Sequence, residues 1–153
     1  MKAIDTRETG DTATLENSPA PDRELHAPQA VLDFVVEVMA ALGAAPDVSR
    51  EAARTGRIAL GTQRLLLALA PDESALIVSA LLDEKWAGAP ERRARFLQAN
   101  AYLLLSAGIG FAIGLGGPQL MCRWNLEPRT PDALAHWLRN FAALAADFQA
   151  VRA

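Results

Sequence analysis

The chain has 153 residues, 51% of them apolar and 22% charged, which describes one globular domain able to bury a core without disulfide or metal. Its 15 basic and 18 acidic residues give a net charge of −3, which argues against a nucleic-acid-binding protein. The single cysteine, Cys122, excludes an intrachain disulfide, indicates a reducing compartment and, with only two histidines, leaves too few ligands for a structural zinc site.

Residues 1–26 form an acidic segment that we expect to be a disordered tail. They hold six acidic and three basic residues, so they carry the whole net charge of the chain. Pro19 and Pro21 oppose a helix, and no apolar run of the kind found in secretory signals follows Met1. We therefore predict a domain at residues 27–153 and a tail that is dispensable for folding.

The first predicted element is a helix that begins after Pro28 and ends at Gly43. Its apolar residues cover an arc of about 200°, whereas a helix that buries one face needs only about 100°. Part of this helix should therefore contact something besides its own core. The apolar residues are Val31, Leu32, Phe34, Val35, Val36, Val38, Met39 and Leu42.

Three short apolar runs follow the helix and predict an antiparallel meander. In the second run, Leu65, Leu67 and Leu69 share one face of a strand, while Leu66 and Ala68 share the other. Both faces are apolar, so the sequence leaves open which of them points outward. The three runs are residues 56–61, 64–69 and 75–82.

A second helix is predicted between Pro90 and Gly108, with an apolar stripe that contains Asn100. It is followed by a hairpin of two strands, at residues 110–115 and 119–125. No charge occurs from residue 96 to residue 122, a length that could span a bilayer, but five glycines and a proline divide it into a helix end, a turn and strands. We interpret this stretch as core.

The last helix begins at Thr130, a favourable N-cap, and carries an apolar stripe from Leu134 to Phe148. The predicted order is α-β-β-β-α-β-β-α. We therefore expect an α+β fold in which helices pack on a small antiparallel sheet.

The sequence contains no convincing catalytic group. The glycines at 108–114 resemble a dinucleotide-binding fingerprint, but here the helix precedes the strand instead of following it. His136 follows Asp132 by one helical turn, which suits a surface pair, and His26 borders the tail. The acidic pairs at 72–73 and 83–84 lie in turns. We expect neither an enzyme nor a cofactor.

Residues 96–100, 108–115, 119–126 and 132–148 carry a resemblance of the chain to class I type III secretion chaperones, the Tir chaperone (CesT) family. Residues 96–100, Phe-Leu-Gln-Ala-Asn, are similar to the family's Leu-Leu-Glu-Ala-Asn helix segment, and residues 108–115 are similar to its small-residue turn and apolar strand. Residues 119–126 and 132–148 match the positions of its last strand and helix. With size, acidic pI and element order, the resemblance covers residues 29–151.

The resemblance implies a homodimer whose two-fold axis lies near the second helix and the adjoining strand. The same helix carries more apolar surface than a monomer of this size needs. We expect Asn100 to be buried and hydrogen-bonded, either to its two-fold mate or to a nearby backbone group. The predicted interface residues are Leu97, Asn100, Ala101, Leu104, Leu105 and Phe111.

The resemblance also implies that the chain binds the N-terminal segment of secreted effectors in extended form and delivers it for export. The spare apolar arc of the first helix and the apolar strands suggest the location of the effector-binding site. The predicted effector-binding residues are Val35, Val38, Leu42, Leu65, Leu67 and Leu69; if the leucines prove buried, the site moves to Leu66, Ala68 and their neighbours.

A chaperone of this kind is expected in the bacterial cytoplasm and is expected to contribute to virulence. Its partners would be effectors, a second copy and the export machinery, such as the secretion ATPase, with no nucleic acid and no membrane insertion. Two departures from the family are the longer acidic tail and the missing acidic residue after the strand at 110–115. The alternatives are a dimeric protein-binding adaptor of the same fold unrelated to secretion, and a small-ligand or catalytic domain.

Overall fold

The computed structural model describes residues 23–83, 90–114 and 117–150, and the described part contains four helices and one sheet of five strands. The predicted α+β fold class is confirmed, with one helix more than the predicted order. The helices are α1 (Gln29–Ala41), α2 (Pro46–Thr55), α3 (Pro90–Ala107) and α4 (Pro131–Ala150). The strands are β1 (Arg57–Leu60), β2 (Gln63–Leu69), β3 (Ala75–Leu81), β4 (Ile109–Gly114) and β5 (Gly117–Asn125).

The sheet is antiparallel throughout, with the strand order β1-β2-β3-β5-β4. The first three strands form the predicted meander, and the β4–β5 hairpin joins it through β5. A row of facing residues crosses the sheet from Leu67 through Val78 and Cys122 to Ile109. The order leaves β1 and β4 as the two edge strands, at opposite sides of the sheet.

The core lies on one face of the sheet, under α1, α2 and α4. Leu67, Val78 and Leu120 point to this face and have no exposed surface. On α4, Leu134 and Leu138 lie against them, at the positions that the apolar stripe predicted. The Thr130 hydroxyl accepts a hydrogen bond from the Ala133 N–H at 3.3 Å, so the predicted N-cap is present.

The opposite face of the sheet carries the alternate residues, and it has no helix of its own over the meander. This open face consists of half-buried apolar side chains and the buried Ser79, with exposed arginines at its margin. Its residues are Leu66, Ala68, Ile77, Ser79, Leu81 and Met121.

Helix α2 is absent from the predicted order, because it buries only small side chains. Its boundaries carry the usual signals, with Pro46 at the first helical position and Gly56 in the left-handed conformation after the end. A Cβ atom at Gly56 would lie 2.6 Å from the carbonyl oxygen of Leu67, so glycine is also required for this approach. The residues that α2 buries are Ser49, Ala52, Ala53 and Thr55, and none of them forms a recognisable apolar stripe.

Helix α2 accounts for part of the spare arc on α1. The two helices pack against each other, and half-buried Leu32 and Val36 of α1 line a cavity of about 610 Å³ with Ala53 of α2. The rest of the arc packs on the sheet and on α4. A helix of the same chain therefore covers part of the apolar arc that the sequence analysis left for a partner.

The packed chain extends N-terminal to residue 27. Leu25 is 6% exposed and belongs to the core, and its N–H donates to the carbonyl oxygen of Arg54 at 2.7 Å. Arg23 Nη2 donates to the carbonyl oxygen of Leu67 at 2.6 Å. The rest of the predicted tail, residues 1–22, lies outside the described residues.

These contacts predict different results for two truncations. A chain that starts at Arg23 should melt like the full chain, because it keeps Leu25 and both hydrogen bonds. A chain that starts at Ala27 loses the burial of one leucine, about 1.5–3 kcal/mol, and should melt roughly 5 °C lower. Thermal unfolding followed by circular dichroism distinguishes the two; equal melting temperatures would show that Leu25 adds nothing to stability.

Candidate interaction surfaces

Helix α3 and strand β4 present an apolar patch, which is the first candidate surface. Leu105 is 91% exposed and Leu97 is 72% exposed, although both are large aliphatic side chains. Exposed apolar side chains in this number on adjoining elements are typical of a protein–protein interface. The patch comprises Leu97, Tyr102, Leu104, Leu105 and Ile113.

Of the six predicted interface residues, the structure places Leu97, Asn100, Leu104 and Phe111 at the contact between α3 and β4. The Leu104 side chain lies beside Gly110 of β4, within 3.3 Å of where a Cβ atom would stand. Sequence reasoning missed Tyr102 and Ile113; the spacing of Ile113 from Phe111 along β4 was a signal that could have found it. Of the predicted set, Leu97, Ala101, Leu104 and Leu105 are exposed, and Asn100 and Phe111 are half-buried.

Asn100 joins α3 to β4. Its Oδ1 accepts a hydrogen bond from the Phe111 N–H at 2.9 Å, so its partner in the chain is a nearby backbone group and its side chain is half-buried instead of fully buried. The Phe111 ring lies edge-on to Phe96, at 4.5 Å between centroids, and to Phe148, at 5.1 Å. These contacts hold edge strand β4 between α3 and α4 and fix the position of the patch.

Replacing Asn100 by Ala should destabilise this junction. The substitution leaves the Phe111 N–H without its acceptor, at a cost of about 1–3 kcal/mol in the free energy of unfolding. Asn100→Asp keeps an acceptor oxygen at the same place and serves as the matched control. Urea unfolding of both variants measures the difference, and an unchanged midpoint for Asn100→Ala would show that the bond contributes nothing.

A cavity of about 940 Å³ between α2 and the β1–β2 hairpin is the second candidate surface, which we call the β1 groove. It runs along edge strand β1, which pairs with no strand on the side away from β2, although the Arg57 N–H already donates to the Thr55 hydroxyl at 3.2 Å. Its apolar lining includes Val48, Ile58 and Leu66. Val48 is 50% exposed and lies outside the patch on α3 and β4.

The β1 groove has a positive balance of charge. Glu51 and Arg54 pair at 2.8 Å across one turn of α2, and the hydrogen bond from Arg54 holds the pKa of Glu51 below its usual value. The remaining charged residues of its lining are Arg23, Asp47, Arg57 and Arg64. Three arginines therefore face one free carboxylate, and neither Arg57 nor Arg64 forms an ion pair within the described part of the chain.

Most of the predicted effector-binding residues belong to the core, which corrects that prediction. Val35, Val38, Leu65 and Leu67 are at most 1% exposed, because α1 and β2 turn these side chains toward each other and toward α4. They cannot contact a partner while the domain is folded. Leu42 and Leu69 are half-buried at the margin of the same core. On β2, the side chains that the fold leaves for a partner are Leu66 and Ala68.

The remaining polar candidates do not assemble into a chemical site. His136 Nε2 lies 3.2 Å from Asn140 Nδ2 instead of pairing with Asp132, and His26 is exposed, 4.0 Å from Glu24. Among residues 23–83, 90–114 and 117–150, no three His, Cys, Asp or Glu side chains cluster as metal ligands would. Of the acidic pair at 83–84, the second residue lies outside the described residues.

The Asp72 carboxyl and the Cys122 thiol have structural roles. Asp72 accepts hydrogen bonds from Ser74 and Arg123, and these two residues hold the pKa of its carboxyl below the usual value, so a β5 side chain ties the β2–β3 turn. Burial raises the pKa of the Cys122 thiol, which leaves it in the unreactive form at neutral pH. No helix in the described part is both long and apolar enough to cross a membrane.

The fold and the sequence of the chain are both similar to those of known proteins. Over 81% of its length, the chain superposes with a TM-score of 0.60 and 14% sequence identity on 99% of a chain in the structure of the HopA1–SchA chaperone–effector complex, so the two chains share a fold. The model of the Tir chaperone protein (CesT) family matches residues 37–149. The chain belongs to this family: it is a chaperone and not an enzyme. Among curated proteins, none matches the sequence.

Proposed function

We propose that the chain is a cytoplasmic type III secretion chaperone that acts as a homodimer and holds the N-terminal segment of an effector extended until export. The observation that carries the proposal is the family match over residues 37–149, which covers the whole sheet, helices α2 and α3, most of α4 and the patch on α3 and β4. Holding a segment extended requires surface and no bond chemistry, in keeping with the side chains described above.

The two candidate surfaces suit two different partners. The patch on α3 and β4 consists of large, exposed and uncharged side chains, which suits a second copy meeting it across a two-fold axis. The β1 groove combines a free strand edge with apolar side chains, which suits an extended peptide that pairs with β1 and places alternate side chains against Leu66 and Val48. We therefore assign the effector to the β1 groove and dimerisation to the patch.

The experiment is a deletion of the gene in its own bacterium, followed by measurement of type III export. The export and cellular level of at least one effector should fall and should return with the wild-type gene. A gene carrying Leu66→Asp should restore neither, whereas Arg50→Glu, on the far side of α2, should restore both. Unchanged export, together with capture of a partner that is never exported, would instead support the adaptor alternative.

A further inference from the structure

The acidic N-terminal segment and the β1 groove are complementary. Residues 8–22 contain four acidic residues and no basic one, while the groove presents three arginines and one free carboxylate. The folded part of the chain from residue 27 onward is formally neutral, so this pairing is not a property of the surface as a whole. We propose that residues 8–22 occupy the β1 groove of their own chain when no effector is bound.

The described chain starts at the groove itself. Arg23 is part of its wall and is held there by its hydrogen bond to the Leu67 carbonyl oxygen, and Leu25 anchors the next turn of chain in the core. The first described residue therefore lies beside the cavity. Fifteen residues can reach about 50 Å when extended, so the whole groove is within range.

Because residues 8–22 belong to the same chain as the groove, a weak interaction is sufficient to hold them there. A segment tethered by a short linker is present at an effective concentration of about a millimolar, so an attraction too weak to be seen between separate molecules still fills the groove. Arg57 and Arg64, which lack ion pairs within the described residues, are the natural partners for the carboxylates. An arriving effector would then have to displace residues 8–22. This consequence rests on the proposed function, whereas the binding of residues 8–22 in the β1 groove does not.

The test uses the full chain with a photo-crosslinking phenylalanine analogue in place of Ala13. We expect crosslinks within one chain that concentrate on residues 47–66, shown by mass spectrometry on a mixture of isotopically light and heavy protein. Arg57→Glu with Arg64→Glu should reduce them about tenfold, which corresponds to about 1.4 kcal/mol, and 0.5 M salt should also reduce them. Both arginines are exposed, so the double variant should keep its fold, as circular dichroism checks.

The matched control is Arg50→Glu with Arg95→Glu, which changes the net charge equally at exposed positions outside the groove and should leave the crosslinks unchanged. Crosslinks that join light to heavy chains, that spread over the surface or that ignore the Arg57 and Arg64 substitutions would overturn the proposal. None of these readouts involves an effector. A failed crosslink therefore refutes the occupancy alone, and unchanged export refutes the proposed function alone.

Discussion

Replacing Leu105 by Asp should convert the chain from a dimer into a monomer without changing its fold. We expect the wild-type chain to scatter light at micromolar concentration with twice its mass of 16.4 kDa, and the variant with that mass once. Each two-fold interface would bury two of the new side chains. Burial of even an uncharged polar group without a partner costs about 2–7 kcal/mol, more than a micromolar dimer can lose.

The control for this experiment is Val48→Asp. Val48 is also a large exposed aliphatic residue, but it lies on α2 at the β1 groove. This variant should remain dimeric and should lose effector binding instead. A wild-type mass of 16.4 kDa throughout the micromolar range, or a dimer in the Leu105→Asp variant, would remove the patch from the proposed interface.

Leu67→Ala should lower the free energy of unfolding by about 2–5 kcal/mol, since Leu67 is fully buried between the sheet and the helices. Leu66→Ala, one position away on the same strand, should cost only about 1 kcal/mol because Leu66 is half-buried on the open face. The pair thus compares the two faces of β2 with the same chemical change.

Urea unfolding monitored by tryptophan fluorescence measures both values, and an unchanged slope confirms that only stability has changed. Equal losses would mean that the two faces of β2 are equally buried, which would contradict the assignment of Leu66 to a partner. The expected reversal in a binding assay strengthens the comparison: Leu66→Ala should weaken effector capture more than Leu67→Ala does at temperatures where both are folded.

The sequence predicted the strands and the long helices because each carries a regular apolar pattern between clear start and stop residues. It could not choose between the faces of β2, since Leu65 and Leu67 on one side and Leu66 and Ala68 on the other are all apolar. Only the packing of α1 and α4 decides that choice, and it buries Leu65 and Leu67, which the sequence analysis had assigned to effector binding.

The patch was easier to predict than the groove. Leu97, Leu104 and Leu105 form an uncharged stripe on one helix, so helical spacing alone places them together. The β1 groove is assembled from α2 and a hairpin, and α2 lacked an apolar pattern to reveal it. Its arginines come from three parts of the chain, at residues 23, 54–57 and 64, and only the fold brings them to one cavity.

The small side chains that α2 buries also affect how the domain opens. Ser49, Ala52 and Ala53 remove little apolar surface from water, so detaching α2 costs less free energy than detaching α1 or α4, which bury valines, leucines and a phenylalanine. One wall of the β1 groove is therefore a helix that is more easily displaced than α1 or α4. We expect the width of the groove to adjust to segments of different bulk while the rest of the fold stays intact.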